Sequence, residues 1–292
     1  MTNEASRRTD QRRRIRRRSR IKDTVIVIAA VCVVALLVFP FAWMVLTSLR
    51  PAADMFGSTR ILPAPDGLTF ENYRNLFATS SFGRYFLNSL LVSVTSMIIS
   101  VVVAGLAGYA FSRYQFRFKR LLMLVVIAVH LFPFVILITP LYSMFGFAHL
   151  LNNYAGLILA YVAITLPVAT YLMIGYLDGI PRALDEAARI DGCRTVDLLF
   201  RVVLPVAWPG VATVGIQSFI VAWEEYLFAK VLMTDENLKT VQVGLSDFFG
   251  EFTTQWDLVL SASVVASVPT IVVVALAQRR LVAGMAVGGV KE

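Results

Sequence analysis

The chain has 292 residues, of which 58% are hydrophobic and only 16% charged, and its mean hydropathy is +0.71. A soluble domain contains roughly 45–50% apolar residues, so this composition excludes an ordinary soluble protein. The chain has two histidines and two cysteines with no C-x-x-C pair. A multi-histidine metal centre is therefore nearly excluded, and neither a redox site nor a disulfide framework is expected.

The net charge of +8 is concentrated at the amino terminus, where ten of the 27 Lys and Arg lie between Arg7 and Lys22. Such a run can indicate nucleic-acid binding. No aromatic residue is interleaved with it, however, and an apolar segment follows at once. We therefore expect residues 1–24 to form a disordered basic tail against anionic lipid, and we expect no nucleic-acid partner.

Six apolar segments follow, each long enough to cross a bilayer as a helix. They are residues 25–47, 88–111, 121–142, 154–177, 206–228 and 259–278. The first is too long for a signal-peptide core and lacks a cleavage pattern, so we expect it to remain as an anchor. Non-helical backbone in lipid would leave amide groups unpaired. The sequence thus predicts an all-α integral membrane protein with six transmembrane helices over 25–280 and a short tail at 281–292.

The distribution of Lys and Arg predicts the orientation. If the amino terminus is inside, the cytoplasmic segments hold 21 of these residues and the outer segments hold six. Positively charged residues accumulate on the cytoplasmic side, so both termini are expected there. The outer stretch 229–258 is acidic and aromatic, which suits either contact with a soluble partner or polar ligand, or an interfacial belt with solvated charges.

Four prolines interrupt the apolar segments, and kinks are expected at them. They are Pro133, Pro140, Pro167 and Pro269.

The cytoplasmic loop 178–205 reads DGIPRALDEAARIDGCRTVDLLFRVVLP. Pro181 suits the start of a helix and Gly192 its end, so about three turns are expected between them. Asp185 and Arg189 form an acid-then-base pair at i, i+4, which stabilises a helix by tenths of a kcal/mol. The alanines share one face with Leu184. Spacing alone leaves two interpretations open: a helix that inserts into a groove of a partner, and a short amphipathic helix on the lipid surface.

The same loop resembles the EAA signature of bacterial ABC importer permeases, with valine in place of the usual isoleucine. The matching residues are Glu186, Ala187, Ala188, Gly192, Val202, Leu204 and Pro205. Over roughly 25–292 the chain is similar to the maltose-type carbohydrate permeases, at Phe132-Pro133, Pro140-Leu141, Gly156 to Leu159, Trp223 to Tyr226, Gln278 to Arg280 and Gly288 to Lys291. Glu224 departs from that pattern, since the family usually has Asn there.

The resemblance implies a permease subunit of an ATP-driven importer, which moves a sugar such as a di- or oligosaccharide into the cell by alternating access. The implied partners are a second permease, two ATPase subunits and an extracytoplasmic sugar-binding protein. The loop helix would be the coupling helix between transmembrane helices 4 and 5, and residues 281–292 would also reach the ATPases. The implied coupling residues are Glu186, Ala187, Ala188, Asp191, Gly192, Leu204 and Pro205. No cofactor is expected on this chain, with ATP and magnesium on the partner subunits.

Four further residues are weaker candidates for the substrate pathway: Trp223, Glu224, Glu225 and His130. Ionisable residues at membrane depth are costly and usually functional. Adjacent helical residues diverge by about 100°, so at most one of the two glutamates is expected to face a pathway. The alternative is that both lie beyond the hydrocarbon. For His130 the alternative is a hydrogen bond to a neighbouring helix.

The common signatures of ATPases, metalloproteases and hydrolases are missing, which leaves an intramembrane enzyme as a minor alternative. The chain has no Gly-Lys dipeptide and hence no phosphate-binding G-x-x-x-x-G-K-[ST] loop, and it lacks H-E-x-x-H and G-x-S-x-G. A secondary transporter would need acids within the membrane, and the first four helices and the sixth contain none. An ABC permease for a polyol, sugar phosphate or peptide remains the strongest alternative.

Overall fold

The computed structural model describes the backbone of residues 2–57, 67–250 and 254–288, and the side chains of 22–55, 67–250 and 254–277. These residues are almost entirely helical, and within them the extended pairing is limited to an isolated bridge between Phe249 and Thr254. The α-helices are α1 Thr2–Ser48, α2 Asp54–Gly57, α3 Glu71–Thr79, α4 Phe82–Arg113, α5 Lys119–Leu131, α6 Phe134–Phe147, α7 Tyr154–Asp178, α8 Ala183–Ile190, α9 Thr195–Asp197, α10 Leu204–Val206, α11 Trp208–Glu224, α12 Leu227–Leu232, α13 Val241–Asp247 and α14 Trp256–Gly288. A π-helical turn, Leu198–Val203, joins α9 to α10, and a 3₁₀ turn, Glu236–Leu238, precedes α13.

The chain forms two compact units, Met1–Asn72 and Tyr73–Glu292. In the first, the Asn72 side chain donates to the carbonyls of Ser48 and Arg50, at 2.8 and 2.7 Å. The backbone of α1 is helical from Thr2, which differs from the expected disordered tail over 1–24. Arginine has a high helix propensity, and the tail continues directly into an apolar helix, so no helix boundary occurs near residue 25.

Four helices are long and apolar enough to cross a membrane: Lys22–Ser48, Phe82–Arg113, Tyr154–Asp178 and Trp256–Ala277. Two further spans are bent pairs, Lys119–Leu131 with Phe134–Phe147 at 98°, and Thr195–Val206 with Trp208–Glu224 at 85°. The described residues therefore hold four to six spans, and the all-helical membrane fold predicted from the sequence is confirmed.

The bend between α5 and α6 lies at Pro133, which takes the N-cap position of α6 with an extended backbone. Proline lacks the N–H that would continue α5, and it restricts the preceding residue, so a break here follows from the sequence. The kink expected at this proline is confirmed as a sharp bend. Pro140, Pro167 and Pro269 instead lie inside α6, α7 and α14, which continue through them.

The core of the second unit is built by α4, α7 and α11, which pack against one another, with α14 against α11. Small residues allow the close approach of α4 to α7. A Cβ on Gly108 would lie 2.7 Å from Met173 Cγ, and the hydroxyls of Ser100 and Thr165 are 2.7 Å apart. Since α4 has 32 residues, it extends about 48 Å at 1.5 Å per residue.

The amino-terminal end of α4 carries a polar network. Asn88 donates to the carbonyls of Asn237 and Lys239, both at 2.9 Å, and Ser89 accepts from the Val241 N–H at 2.7 Å. Asp247 accepts from Lys239 at 2.8 Å, which raises the pKa of that ammonium above its ordinary value and keeps it charged at neutral pH. The segment between α12 and α13 is thereby fixed to this end of α4.

Candidate functional site

Helix α8 stands at the opposite end of the second unit, beside the carboxyl end of α4. It has eight residues, or about two turns, where the sequence predicted about three. Pro181 and Arg182 directly precede it, and Gly192 ends the turn after it with a φ of +83°. That left-handed conformation is typical of glycine after a helix, so the predicted end of the helix is confirmed.

The surface of α8 is divided between the protein and the exterior. Ala188 is buried in a hydrophobic cluster that also contains Leu198 and Val203 of the π-helical turn and Leu177 of α7. Glu186 and Ala187 are exposed, and Ile190 is 86% exposed. The four residues expected to share one face, Ala183, Leu184, Ala187 and Ala188, are thus divided: the face against the protein holds Ala188, and Ala187 belongs to the exposed face.

Asp185 is buried, although the sequence predicted an exposed pair with Arg189. Its Oδ2 lies 2.7 Å from Nε of Arg113 in α4, and the two side chains are 7% and 4% exposed. The predicted Asp185–Arg189 pair is therefore wrong. A buried carboxylate needs a buried cation, which α4 supplies and the exposed Arg189 does not.

Three further hydrogen bonds tie the end of α7 and the loop before α8 to α4. Ser112 donates to Asp178 at 2.6 Å, and Arg113 donates to the Ile180 carbonyl at 3.1 Å. Arg182 donates to the Ser112 carbonyl at 3.3 Å. These groups line an open polar hollow of about 510 Å³, to which Lys119 also contributes.

The remaining predicted coupling residues surround this helix. Asp191 and Gly192 are exposed directly after α8, and Pro205 is exposed beyond the π-helical turn. Leu204 is half-buried and faces Gly105 of α4, where a Cβ would be 3.7 Å from its Cδ2. Glu186, Ala187, Asp191 and Gly192 thus form one exposed surface, while Ala188 and Leu204 hold the helix and the turn in place.

Trp223 and Glu225, two of the pathway candidates, have evident structural contacts. Trp223 is 1% exposed, packs against Phe86 and Phe219, and donates its indole N–H to the Ala266 carbonyl at 3.0 Å. The Glu225 carboxylate accepts from the backbone N–H groups of Phe228 and Ala229, at 2.9 and 3.1 Å.

Glu224 and His130 differ from them, because both side chains are exposed. Glu224 is the last residue of α11. His130 lies in the last turn of α5, just before the Pro133 bend, and its ring is 6.4 Å from that of Phe134. The described residues give it no hydrogen-bonding partner on a neighbouring helix. Contact of any of these residues with a substrate stays a prediction.

Across the described part of the chain, no three His, Cys, Asp or Glu side chains come together as a metal site would require.

The sequence profile of the family described as "Binding-protein-dependent transport system inner membrane component" matches residues 100–287. The chain belongs to this family. It is 36% identical over 253 residues to the sulfoquinovosyl glycerol transport system permease protein of Agrobacterium fabrum, covering 87% of this chain and 88% of that protein. It is 33% identical to the trehalose transport system permease protein of Mycobacterium tuberculosis, and the match covers 89% of this chain and 94% of that protein.

Solved structures show the same fold. A chain of a bacterial ABC transporter involved in the import of the acidic polysaccharide alginate superposes with a TM-score of 0.79 at 21% identity, covering 90% of this chain and 97% of that one. This chain is accordingly an inner-membrane, multi-pass permease subunit, and ATP hydrolysis belongs to separate subunits. The family resemblance drawn from the EAA loop is confirmed.

The matched region of this binding-protein-dependent permease contains both α8 and Arg113. Sequence reasoning singled out the helix but not Arg113. The signal available was an arginine at the end of the second apolar segment, next to a short basic loop. Its partner lies far along the chain, so spacing could not connect the two.

Proposed function

We propose that this permease moves a di- or oligosaccharide into the cell by alternating access, with α8 as the helix that docks on an ATPase subunit. The observation that carries the proposal is the exposed surface of Glu186, Ala187, Asp191 and Gly192 on a helix whose other face is fixed to the protein. Sugar transport is supported by relatives whose names specify trehalose, arabinooligosaccharides and diacetylchitobiose.

The docking surface combines two carboxylates, Glu186 and Asp191, with the small residues Ala187 and Gly192. Ala187 permits close approach of a partner backbone, and Glu186 offers an acceptor for a cationic side chain. Ile190 adds an apolar contact, being 86% exposed. Because Ala188 and Asp185 hold α8 against the protein, a partner that moves α8 moves a fixed element rather than a free loop.

The proposed assembly contains a second permease, two ATPase subunits and an extracytoplasmic sugar-binding protein. ATP and magnesium would bind on the ATPase subunits, and this chain would hold no cofactor. Among the pathway candidates, Glu224 is the proposed substrate or gate contact, because it is exposed at a helix end while Glu225 is engaged by backbone N–H groups.

Reversal of the charge at Glu186 tests the docking role. Glu186→Lys is expected to abolish uptake and co-purification of the ATPase while the permease remains in the membrane. Asp197→Lys is the matched control, since that carboxylate lies in the same loop outside α8 and is 41% exposed. Unchanged uptake by a folded Glu186→Lys protein would contradict the proposal.

The solute class is tested on the purified complex in nanodiscs. ATPase activity is measured with the external binding protein and a panel of di- and oligosaccharides, polyols and sugar phosphates. Stimulation by a liganded binding protein and an oligosaccharide is expected. Stimulation confined to a polyol or a sugar phosphate would assign the same fold to a different solute.

A further inference from the structure

The buried ion pair between Arg113 and Asp185 joins the long membrane-spanning helix α4 to the short helix α8. Arg113 is the last residue of α4, and Asp185 lies on α8. The Nε–Oδ2 distance is 2.7 Å, and both side chains are almost fully buried. Within the described residues, neither the Arg113 Nε nor the other carboxylate oxygen, Oδ1, makes a hydrogen bond, so the contact is an ion pair. Arg113 is therefore the cation in contact with the Asp185 carboxylate.

Neighbouring hydrogen bonds also connect the end of α4 to the chain that leads into α8. The Arg113 guanidinium also donates to the Ile180 carbonyl, and Ser112 donates to Asp178. The last two residues of α4 thus hold both the loop before α8 and α8 itself. Buried charges in contact have a narrow range of tolerated geometries, because any separation leaves each charge without solvent or partner.

The far end of α4 is fixed as well. Asn88 and Ser89 bond to the segment that carries Asn237, Lys239 and Val241. Because α4 is one uninterrupted helix of 32 residues, it connects the α8 end of the second unit to the opposite end.

We propose that Arg113 and Asp185 are positioning residues that make α8 and α4 one rigid body, so that displacement of α8 by the ATPase is transmitted along α4. The pair acts on transmission and not on docking, because neither side chain is part of the exposed surface of α8. This inference rests on the proposed function, and it requires α8 to be the docking helix.

The test separates docking, ATP hydrolysis and transport. Arg113→Gln and Asp185→Asn are each prepared in the complete complex, with Asp197→Asn as the control that breaks the exposed Asp197–Arg201 pair of the same loop. For each single variant we expect normal recovery of the ATPase, retained ATP hydrolysis stimulated by binding protein, and about tenfold less solute moved per ATP, a size typical of coupling between sites. The control is expected to keep the wild-type ratio.

The double exchange Arg113→Asp with Asp185→Arg provides the second arm, together with the melting temperature of each complex. Restoration of the transport-to-hydrolysis ratio by the exchange supports the positioning role, since the pair is then rebuilt with its charges reversed. A proportional fall of hydrolysis and uptake, or loss of the ATPase from the single variants, would overturn the inference. So would an exchange that restores the melting temperature but not the ratio. If Glu186→Lys also leaves uptake unchanged, the proposed function fails as well, so the two failures are distinguishable.

Discussion

Gly192 shows how one residue sets the end of the docking helix. Its φ of +83° lies in the left-handed region, and a Cβ added to it would meet no heavy atom within 4 Å, so the cost of a side chain there is purely one of backbone conformation. We expect Gly192→Ala to lower the free energy of unfolding by about 1 kcal/mol. Gly192→Pro is expected to abolish uptake, because proline fixes φ near roughly −65°.

Gly192→Asn is the control, since asparagine tolerates the left-handed conformation better than other residues with side chains. Uptake in vesicles and thermal unfolding of the purified complex measure the two effects. Wild-type transport by Gly192→Pro would show that the turn after α8 does not need its observed geometry.

Glu224 and Glu225 are adjacent, yet the structure predicts different consequences for their removal. Glu225 accepts two backbone N–H groups at the start of α12, so Glu225→Ala is expected to lower stability by about 1 kcal/mol. Glu224→Ala is expected to leave the melting temperature unchanged and to reduce uptake. Equal melting temperatures for both variants would contradict the capping role of Glu225.

For single residues, the sequence predicted where a residue lies along the helix better than it predicted what the residue contacts. Turn chemistry located Gly192 correctly, because glycine readily adopts the left-handed conformation after a helix, whereas the docking role of Glu186 stays a prediction. Asp185 was assigned to the wrong partner, since an i, i+4 pair is worth only tenths of a kcal/mol, while a carboxylate that becomes buried needs a cation beside it, here Arg113 of α4.

At the scale of helices, the contact between α4 and α7 depends on a glycine. A Cβ on Gly108 would lie 2.7 Å from Cγ and 3.0 Å from Cβ of Met173, both closer than such atoms normally approach. Gly108→Ala is therefore expected to destabilise the protein by about 1–3 kcal/mol.

Gly215 of α11 is the matched control, because its nearest neighbour would be Val101 Cγ2 at an ordinary 3.6 Å. Gly215→Ala is expected to be neutral. The melting temperatures of the two detergent-solubilised variants provide the comparison, and similar values for both would show that the helices separate without cost.

Hydropathy located the four long spans and the pair α5 and α6, whereas Thr195–Val206, the first half of the second bent pair, falls in the loop that was expected to be cytoplasmic. Pro133 revealed the bend between α5 and α6, since proline cannot continue a helix. The 85° bend before α11 follows Ala207, which lies between Pro205 and Pro209, and Pro209 stands in the first turn of α11. Proline is common at the start of a helix, so the beginning of α11 was also open to prediction from the sequence.

For the whole molecule, the distribution of Lys and Arg predicts both termini in the cytoplasm. Two exposed phenylalanines test this orientation in a background without Cys32 and Cys193. Phe118 precedes α5 and is 57% exposed, and Phe147 ends α6 and is 89% exposed. We expect a membrane-impermeant maleimide to label Phe147→Cys in intact cells and Phe118→Cys only after permeabilisation. The reverse pattern would invert the topology.

The ion pair at α8 also has a consequence for the order of synthesis. The Ile180 carbonyl that accepts from Arg113 lies 67 residues further along the chain. At 5–20 residues per second, Arg113 leaves the ribosome roughly 3–13 s before that partner. During this interval its guanidinium has neither the carbonyl nor the Asp185 carboxylate and must remain hydrated at the membrane surface. Closure of the end of α4 therefore follows the synthesis of the loop that carries Asp185 and cannot occur while α4 alone is in the membrane.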